Sequence, residues 1–545
     1  MNKFASSKII FIKDQLYSII YINKYPKSKK FINMKIKSKL SLILISILLT
    51  TLYACNNSES VNNDIDIDKV EVIKNIPSIH ENNSLISNIK IELNSPAKLY
   101  IKYENTRAGK FKTQTTNEAK KLHDFAIMRL KPNSNYSYEI IVIDNNTIEK
   151  IIGKGEFTTG DLPEALKSIE TVATGNFTPE LLLSEIHIGP PLNLTESYMF
   201  MLDQDSEIVW YYLNKTMENH KPLMILAISQ KEDYNLTFNL GSPFDYCCIR
   251  EITPSGKTVD NLPSGPVDGV AHREHLLLDN NKILYSAYEY RKIDDTNISG
   301  NSNVPVAGFS LRIWDQASGL TTEVWNSFDS IGIENRHHWT EILDRWPQSG
   351  FYNRKLSVPE LVKHVPWTSA NSIQKASNGN YIISIPDLSQ IISISEDFKQ
   401  IFWRLGGKNS DFRFEDPTNK FYHQHTAQQL PNGNILLFDN GQHRPEEEGG
   451  TYSRALELTM NTYDRIANKV WEYVPEPKIY APNRSSAYRL NNGNTLINFV
   501  NNPRTIVEVD ENGNEIYKAT MKTKTDQGSF RVYSISTING ETKIK

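Results

Sequence analysis

Ser377-Asn378-Gly379-Asn380-Tyr381-Ile382, Pro431-Asn432-Gly433-Asn434-Ile435-Leu436 and Asn491-Asn492-Gly493-Asn494-Thr495-Leu496 carry one pattern, an Asn-Gly turn running straight into an apolar strand. A looser copy, Asp279-Asn280-Asn281-Lys282-Ile283-Leu284, precedes them. Asn-Gly supplies the positive φ angles a tight hairpin needs, so each copy reads as two antiparallel strands joined at the turn. A second strand and usually a tryptophan follow: Trp325, Trp403 and Trp471 sit in comparable places, as does Trp210 earlier. Self-similarity at a few tens of residues marks a ring of small sheets. Four-stranded blades spread over about 380 residues give roughly six, so residues 164–545 are expected to form a six-bladed β-propeller. Sustained 3.6-residue periodicity is scarce, which argues against a helical repeat. The stretch from Ile331 to Val362 breaks the pattern and reads as an insertion with some helix.

Upstream, Ile89 to Leu93, Ala97 to Tyr103, Ala126 to Leu130, Tyr136 to Ile143 and Gly153 to Thr158 read as short strands with period-two character. The turn Leu130-Lys131-Pro132-Asn133-Ser134-Asn135-Tyr136 resembles the lead into a late strand of fibronectin-type domains, so residues 69–162 are expected to form a fibronectin-like β-sandwich. The fold class is thus all-β. Earlier still, Lys35, Lys37 and Lys39 precede the apolar run Leu40 to Leu52, which ends Leu52-Tyr53-Ala54-Cys55. A basic segment, a short apolar segment and a small residue before cysteine form an export signal of the lipoprotein kind, with Cys55 as the lipidated residue. The run is too short to span a bilayer comfortably. Residues 1–55 then comprise an extension plus signal, Met34 being its natural start, and 56–68 a polar tether. The expected location is the cell envelope, periplasmic or outer-membrane associated, on a lipid anchor.

The 545 residues carry a net charge of −3, so no basic field points to nucleic acid. Aromatic residues make up 10% of the chain, which suits pleated sheets. Apart from Cys55 the cysteines are Cys247 and Cys248, which could form a vicinal disulfide or point to opposite faces of one strand. The second pattern is the simpler. Propeller inner strands converge on a central channel, so polar residues distant in sequence can meet at its mouth.

Among twelve histidines, His425 stands out. It lies in Tyr422-His423-Gln424-His425-Thr426-Ala427, just ahead of the Asn432-Gly433 turn, where an inner strand should begin. His-x-His alone could be a metal pair on one strand face, but no cysteine or carboxylate cluster supports a metal. The stretch Trp403-Arg404-Leu405-Gly406-Gly407-Lys408-Asn409-Ser410-Asp411-Phe412, then Gln424-His425-Thr426-Ala427 and Phe438-Asp439-Asn440-Gly441, resembles the bacterial arylsulfotransferases, PAPS-independent enzymes that move a sulfuryl group from an aryl sulfate to a phenol. The resemblance covers residues 164–540 in outline and is closest over about 365–475.

The resemblance implies that His425 is the nucleophile. A neutral imidazole can displace a phenoxide and then pass the sulfuryl on, giving a sulfohistidine intermediate. It also implies a second histidine where the family has His-His-Asp and this chain has Val270-Ala271-His272-Arg273-Glu274-His275, His272 being the better aligned and His275 the alternative. The family pattern Trp-x-His-x-Asn-Ser appears as Trp367-Thr368-Ser369-Ala370-Asn371-Ser372, with Ser369 in the histidine's place, and the family's Ser-Arg appears as Ile385-Pro386. One imidazole and one guanidinium expected around the sulfuryl group are therefore replaced, and His337, His338, His364 or Arg404 could substitute by geometry. Asn371, Ser369, His275, Arg404 and Asn440 are the expected substrate contacts, and Asp439 either orients His425 or closes a turn. The implied partners are small aryl sulfates and phenols, without a metal or nucleotide cofactor. The rival reading is a diverged propeller that binds a sulfated or aromatic ligand without turning it over.

Overall fold

The computed structural model describes residues 66–545 apart from 146, 190–193, 219–220, 242–245, 263–270, 280, 297–300, 336–364, 523–527 and 545. Three Asn-Gly turns form as the sequence predicts. Gly379, Gly433 and Gly493 sit at φ +88°, +88° and +91°, where a side chain would be strained. In each, the preceding asparagine accepts a hydrogen bond from the backbone N–H two residues on: Asn378 from Asn380 at 3.1 Å, Asn432 from Asn434 at 3.0 Å and Asn492 from Asn494 at 3.0 Å. This is the Asx turn, which fixes the hairpin by local chemistry.

The hairpins assemble into six four-stranded antiparallel blades, with two helices of four residues each, Glu164–Lys167 and Ser327–Ser330, among the described residues. Blades 2 to 6 begin with the inner strands Met224–Gln230, Ala271–Leu278, Ser372–Lys375, His425–Gln429 and Ser486–Arg489. Blade 1 takes its inner strand, Val532–Ile535, from the far end of the sequence, where it pairs with Leu181–Ile188. On the opposite side, Glu170–Gly175 adds a fifth strand to the outside of blade 6. The ring is therefore closed twice, by strands from both ends of the propeller sequence.

Trp210, Trp325, Trp403 and Trp471 all lie in the fourth strands of their blades, counted from the channel. A register shift interrupts pairing with that fourth strand in all six blades, leaving Val209, Val259, Val324, Phe402, Val470 and Ile516 without an opposite number. Bulges of this kind increase local twist and turn a sheet edge away from other chains. The core consists of apolar clusters between successive blades. Trp210, Phe238, Leu240 and Ile252 pack between blades 1 and 2, and Phe438, Ala487, Phe499 and Val507 between blades 5 and 6. Cys248 is buried within the first of these, in the strand Tyr246–Ile252; the side chain of Cys247 lies outside the described residues.

Residues 72–158 form a separate set of strands around one long strand, Asn83–Asn105. The sequence suggested two strands here. Instead the chain passes through Asn94-Ser95-Pro96 without reversing, and pairs first with Val72–His80 and Lys120–Ile127, then with Gly109–Lys112 and Asn135–Ile143. The C-terminal strand Thr542–Ile544 adds to Gly109–Lys112. Residues 66–545 pack as one compact unit. Part of the joint is ionic: buried Lys131 reaches Asp205 at 2.6 Å and Asp203 at 3.0 Å on blade 1.

Candidate functional site

His425 begins the inner strand of blade 5, and the residues after it are bulged: His425 pairs with Phe438 and Gln428 with Leu436. Thr426 takes φ +52°, unusual for a β-branched residue and a local strain of order 1–3 kcal/mol. The bulge turns the imidazole out of the strand's regular alternation, and the Thr426 hydroxyl holds it there by accepting the N–H of Ala487 in blade 6 at 3.0 Å.

Asn440, fully buried, sits 2.8 Å from Nδ1 of His425 through its Oδ1. Its Nδ2 donates to the carbonyls of Ala481 at 2.7 Å and Arg484 at 3.1 Å, so the amide oxygen must face the imidazole. The hydrogen-bond network therefore assigns the ring proton to Nδ1 and the lone pair to Nε2. Burial pushes the ring from its ordinary 6.5 down to about 3; the hydrogen bond to Asn440 opposes this, while the charges of Arg531 and Arg273 add to it. His425 is thus a neutral imidazole across the physiological range.

Asp439, next to Asn440 in sequence, spends its carboxylate away from the imidazole. Its carboxylate is fully buried, bonded to Arg444 and to Nε of Arg454 at 3.0 Å, and accepts the N–H groups of Tyr422 at 2.9 Å and Gly441 at 3.0 Å. Of the two roles open to it in the sequence, it takes the turn-closing one. It welds the loop carrying Asn440 to the segment leading into His425.

Arg531 lies one residue before the closing strand Val532–Ile535. Its Nη1 donates to Glu274 of blade 3 at 2.6 Å and its Nη2 to the carbonyl of Asn371 of blade 4. Blades 1 and 4 stand opposite each other in a ring of six, so this guanidinium spans the channel axis. It caps a cavity of about 1040 Å3 that runs along the axis to the hairpin turns, lined by Glu274, His275, Gln374, Tyr488, Arg531 and Tyr533 among others. Arg273, at φ +57° in a second inner-strand bulge, is the other cation whose charge bears on His425.

The remaining expected contacts divide sharply. Asn371 is fully buried, and its Nδ2 donates to the Gln424 carbonyl at 2.7 Å, fixing the backbone directly before His425; its Oδ1 has no partner among the described residues. Ser369 donates to Asp387 Oδ2 at 2.6 Å. His275, expected on substrate, lines the axial cavity and also joins two blades: its Nδ1 lies 2.6 Å from Asn239 and its Nε2 2.8 Å from Thr237 of blade 2. Arg404 is placed elsewhere. It lies in the outermost strand of blade 4, Ile401–Gly406, opposite Ile392, far along the blade from the inner-strand starts that carry the site. The side chain of His272, together with His337, His338, His364 and Cys55, lies outside the described residues.

Arg531, Arg273, Glu274 and Asp387 were not singled out from sequence. Arg531 had one usable signal: if the last strand closes the ring from inside, the residue ahead of it occupies the position in blade 1 that Gln424 and His425 occupy in blade 5.

A six-bladed propeller with a neutral, oriented histidine at one inner-strand start and two guanidinium charges bearing on it has the components of a group-transfer site for an anionic substrate. The chain belongs to the arylsulfotransferase (ASST) family, whose profile matches residues 178–533. No curated protein matches it. Among solved structures it is similar to a protein of unknown function from Bacteroides caccae, at 12% identity and a TM-score of 0.37 over 65% of this chain and 98% of that one. Virginiamycin B lyase from Staphylococcus aureus shares 10% identity, with a TM-score of 0.33 over 67% of this chain and 100% of the other. AztD from Citrobacter koseri, in its apo form, shares 9% identity, with a TM-score of 0.27 over 80% and 97%. Likeness at this level carries no argument about activity.

Proposed function

We propose that this protein transfers a sulfuryl group from an aryl sulfate to a phenol through a sulfohistidine at Nε2 of His425. The observation that carries the reading is the tautomer: Asn440 holds the proton on Nδ1, and burial keeps the ring neutral, so the nucleophilic lone pair is permanently available on Nε2. Nε2 attacks sulfur, the S–O bond to the aryl group breaks, and the phenoxide leaves. The second phenol then takes the sulfuryl from nitrogen by the reverse path. Arg531 and Arg273 supply positive charge for the sulfuryl oxygens, in place of the imidazole and guanidinium replaced at Ser369 and Pro386.

Several finer expectations belong to the same proposal. Residues 69–162 are a fibronectin-like β-sandwich supporting a propeller of residues 164–545; the Tyr136 hydroxyl, which accepts the Lys131 N–H at 2.8 Å, supports that reading of the turn. Residues 1–55 carry a lipoprotein signal with Cys55 lipidated, 56–68 are a tether, and the protein works at the cell envelope on small aryl sulfates and phenols.

The test is intact-mass spectrometry of the purified full chain after mixing with 4-nitrophenyl sulfate and no acceptor. One added sulfuryl unit in the parent, missing in His425→Ala, is the expected result. The rival reading, a propeller that binds a sulfated or aromatic ligand without turnover, is favoured by Ser369, which presents a hydroxyl bonded to a carboxylate where an imidazole is expected. Absence of both adduct and phenol release across a panel of donors and acceptors would favour it.

A further inference from the structure

We propose that Asp387 carries the proton of the phenolic oxygen in both halves of this transfer; the inference rests on the sulfohistidine reading above. The two departures from the family pattern, Ser369 and Pro386, turn out to be neighbours with a shared product. Pro386 opens a short 3-10 turn, Pro386–Leu388, at the end of the strand Tyr381–Ile385, and the next residue, Asp387, meets the Ser369 hydroxyl at 2.6 Å. Where relatives place an imidazole and a guanidinium, this chain places a hydroxyl and a carboxyl in contact.

The pair lies beside the nucleophile's segment. Ser389 Oγ accepts the His423 N–H at 3.2 Å, and the Gln424 side chain donates to the Gln390 carbonyl at 2.9 Å, so the turn holding Asp387 abuts the residues leading into His425. Ser369 is two residues from Asn371, whose amide holds the Gln424 carbonyl. The charge of Arg273 bears on both Asp387 and His425. Burial raises the Asp387 carboxyl above its ordinary range, against the hydrogen bond from Ser369 and the charge of Arg273. That direction brings a carboxyl closer to the pH at which it can both give and take a proton.

Among the groups placed above, each has another commitment. His425 is occupied as nucleophile, Arg273 and Arg531 do not release protons, and Glu274 is bound to Arg531 at 2.6 Å and to the N–H of His275 at 3.1 Å. In the first half-reaction Nε2 bonds to sulfur, the aryl oxygen leaves with the electron pair, and protonated Asp387 gives that oxygen its proton. A free phenol departs, leaving the Asp387 carboxylate and N-sulfohistidine with Nδ1 still protonated. In the second, the carboxylate takes the proton of the incoming phenol as its oxygen bonds to sulfur, the S–N bond breaks toward Nε2, and the starting states return.

A series of donors separates this role from a structural one. Asp387→Asn and the parent are each mixed in single turnover with aryl sulfates of graded leaving-group acidity, and formation of the His425 adduct is followed. A nitrophenoxide leaves without help, so its rate in the variant is expected to stay close to the parent's. An unactivated phenoxide needs the proton, so its rate is expected to fall roughly 10²- to 10⁴-fold, the usual contribution of a general acid. A loss equal for all donors, or no loss with any, overturns the proposal. A parent that forms no adduct with any donor overturns the sulfohistidine reading first, and the role of Asp387 with it. If Asp387→Asn does not fold, Ser369→Ala provides the second test. Removing a donor to the carboxylate raises its pKa, so the limb of the pH–rate profile for the acceptor step should move to higher pH. An unmoved limb overturns the assignment.

Discussion

Acidification from about pH 7 to about pH 4 is expected to unfold this propeller, with three buried histidines setting much of the slope. Burial lowers His187, His275 and His425 from 6.5 to about 3 each. In that window the unfolded chain binds a proton at each site and the folded chain does not, so stability is complete above pH 6.5 and is lost as the pH falls toward 3. Each histidine costs about 1.4 kcal/mol per pH unit, and the three together about 4. Two units below 6.5 the loss reaches about 8 kcal/mol, comparable with the 5–15 kcal/mol that holds a typical fold. Glu185 and Glu274 act in the opposite sense, because burial raises their carboxyls. The informative quantity is therefore a difference in slope. His187 offers the cleanest substitution: its Nε2 meets the Ile225 carbonyl at 2.9 Å, a bond a glutamine amide can also make. Urea unfolding followed by tryptophan fluorescence, at steps between about pH 6 and 4.5, should show His187→Gln with a slope smaller than the parent's by about 1.4 kcal/mol per unit. Equal slopes in parent and variant would refute the reasoning.

Asp439→Ala leaves Arg444 and Arg454 buried without their shared anion and is expected to cost about 3–5 kcal/mol in denaturant unfolding. Asn440→Ala frees the imidazole to rotate and change tautomer; kcat is expected to fall about 10²-fold with the fold intact by circular dichroism. Gly433→Ala meets no atom within 4 Å and is expected to lose only the positive-φ preference, about 1–2 kcal/mol in unfolding free energy. Gly441→Ala would set its Cβ 1.9 Å from the Tyr452 carbonyl, so a larger loss of stability, with loss of activity because Asn440 adjoins it, is expected in the same assays.

The ring was legible because its turns are local chemistry. Asn-Gly announces a hairpin wherever it falls, and the tryptophans announce outer strands. Blade 2 escaped because its turn is written Asp233-Tyr234-Asn235, with Tyr234 at φ +69° doing what glycine does elsewhere and Asp233 accepting the Asn235 N–H at 3.1 Å. Blade 1 carries no such turn after its inner strand, since that strand arrives from the other end of the chain. The site was legible to the same degree. His425 and its asparagine are close in sequence and share a motif, so both could be named, though the role of Asn440 as the ring's orienter needed geometry. Arg531 contacts the Asn371 carbonyl across 160 positions of sequence, and Asp387 reaches Ser369 only because a proline-led turn swings it there. The surroundings of His275 and Arg404 were not legible for the converse reason: residue type and motif neighbourhood do not say which partners a side chain meets, or in which strand of a blade it lies.

The closing strand sets a timetable as well as a topology. Arg531 cannot reach Glu274 and Asn371 until Val532–Ile535 has seated against Leu181–Ile188, so the channel's crossbar is set only when the ring closes. With Val532–Ile535 unseated, one of the two guanidinium charges that bear on the His425 imidazole is missing. Closure of the ring and delivery of that charge to the imidazole are thus one event rather than two.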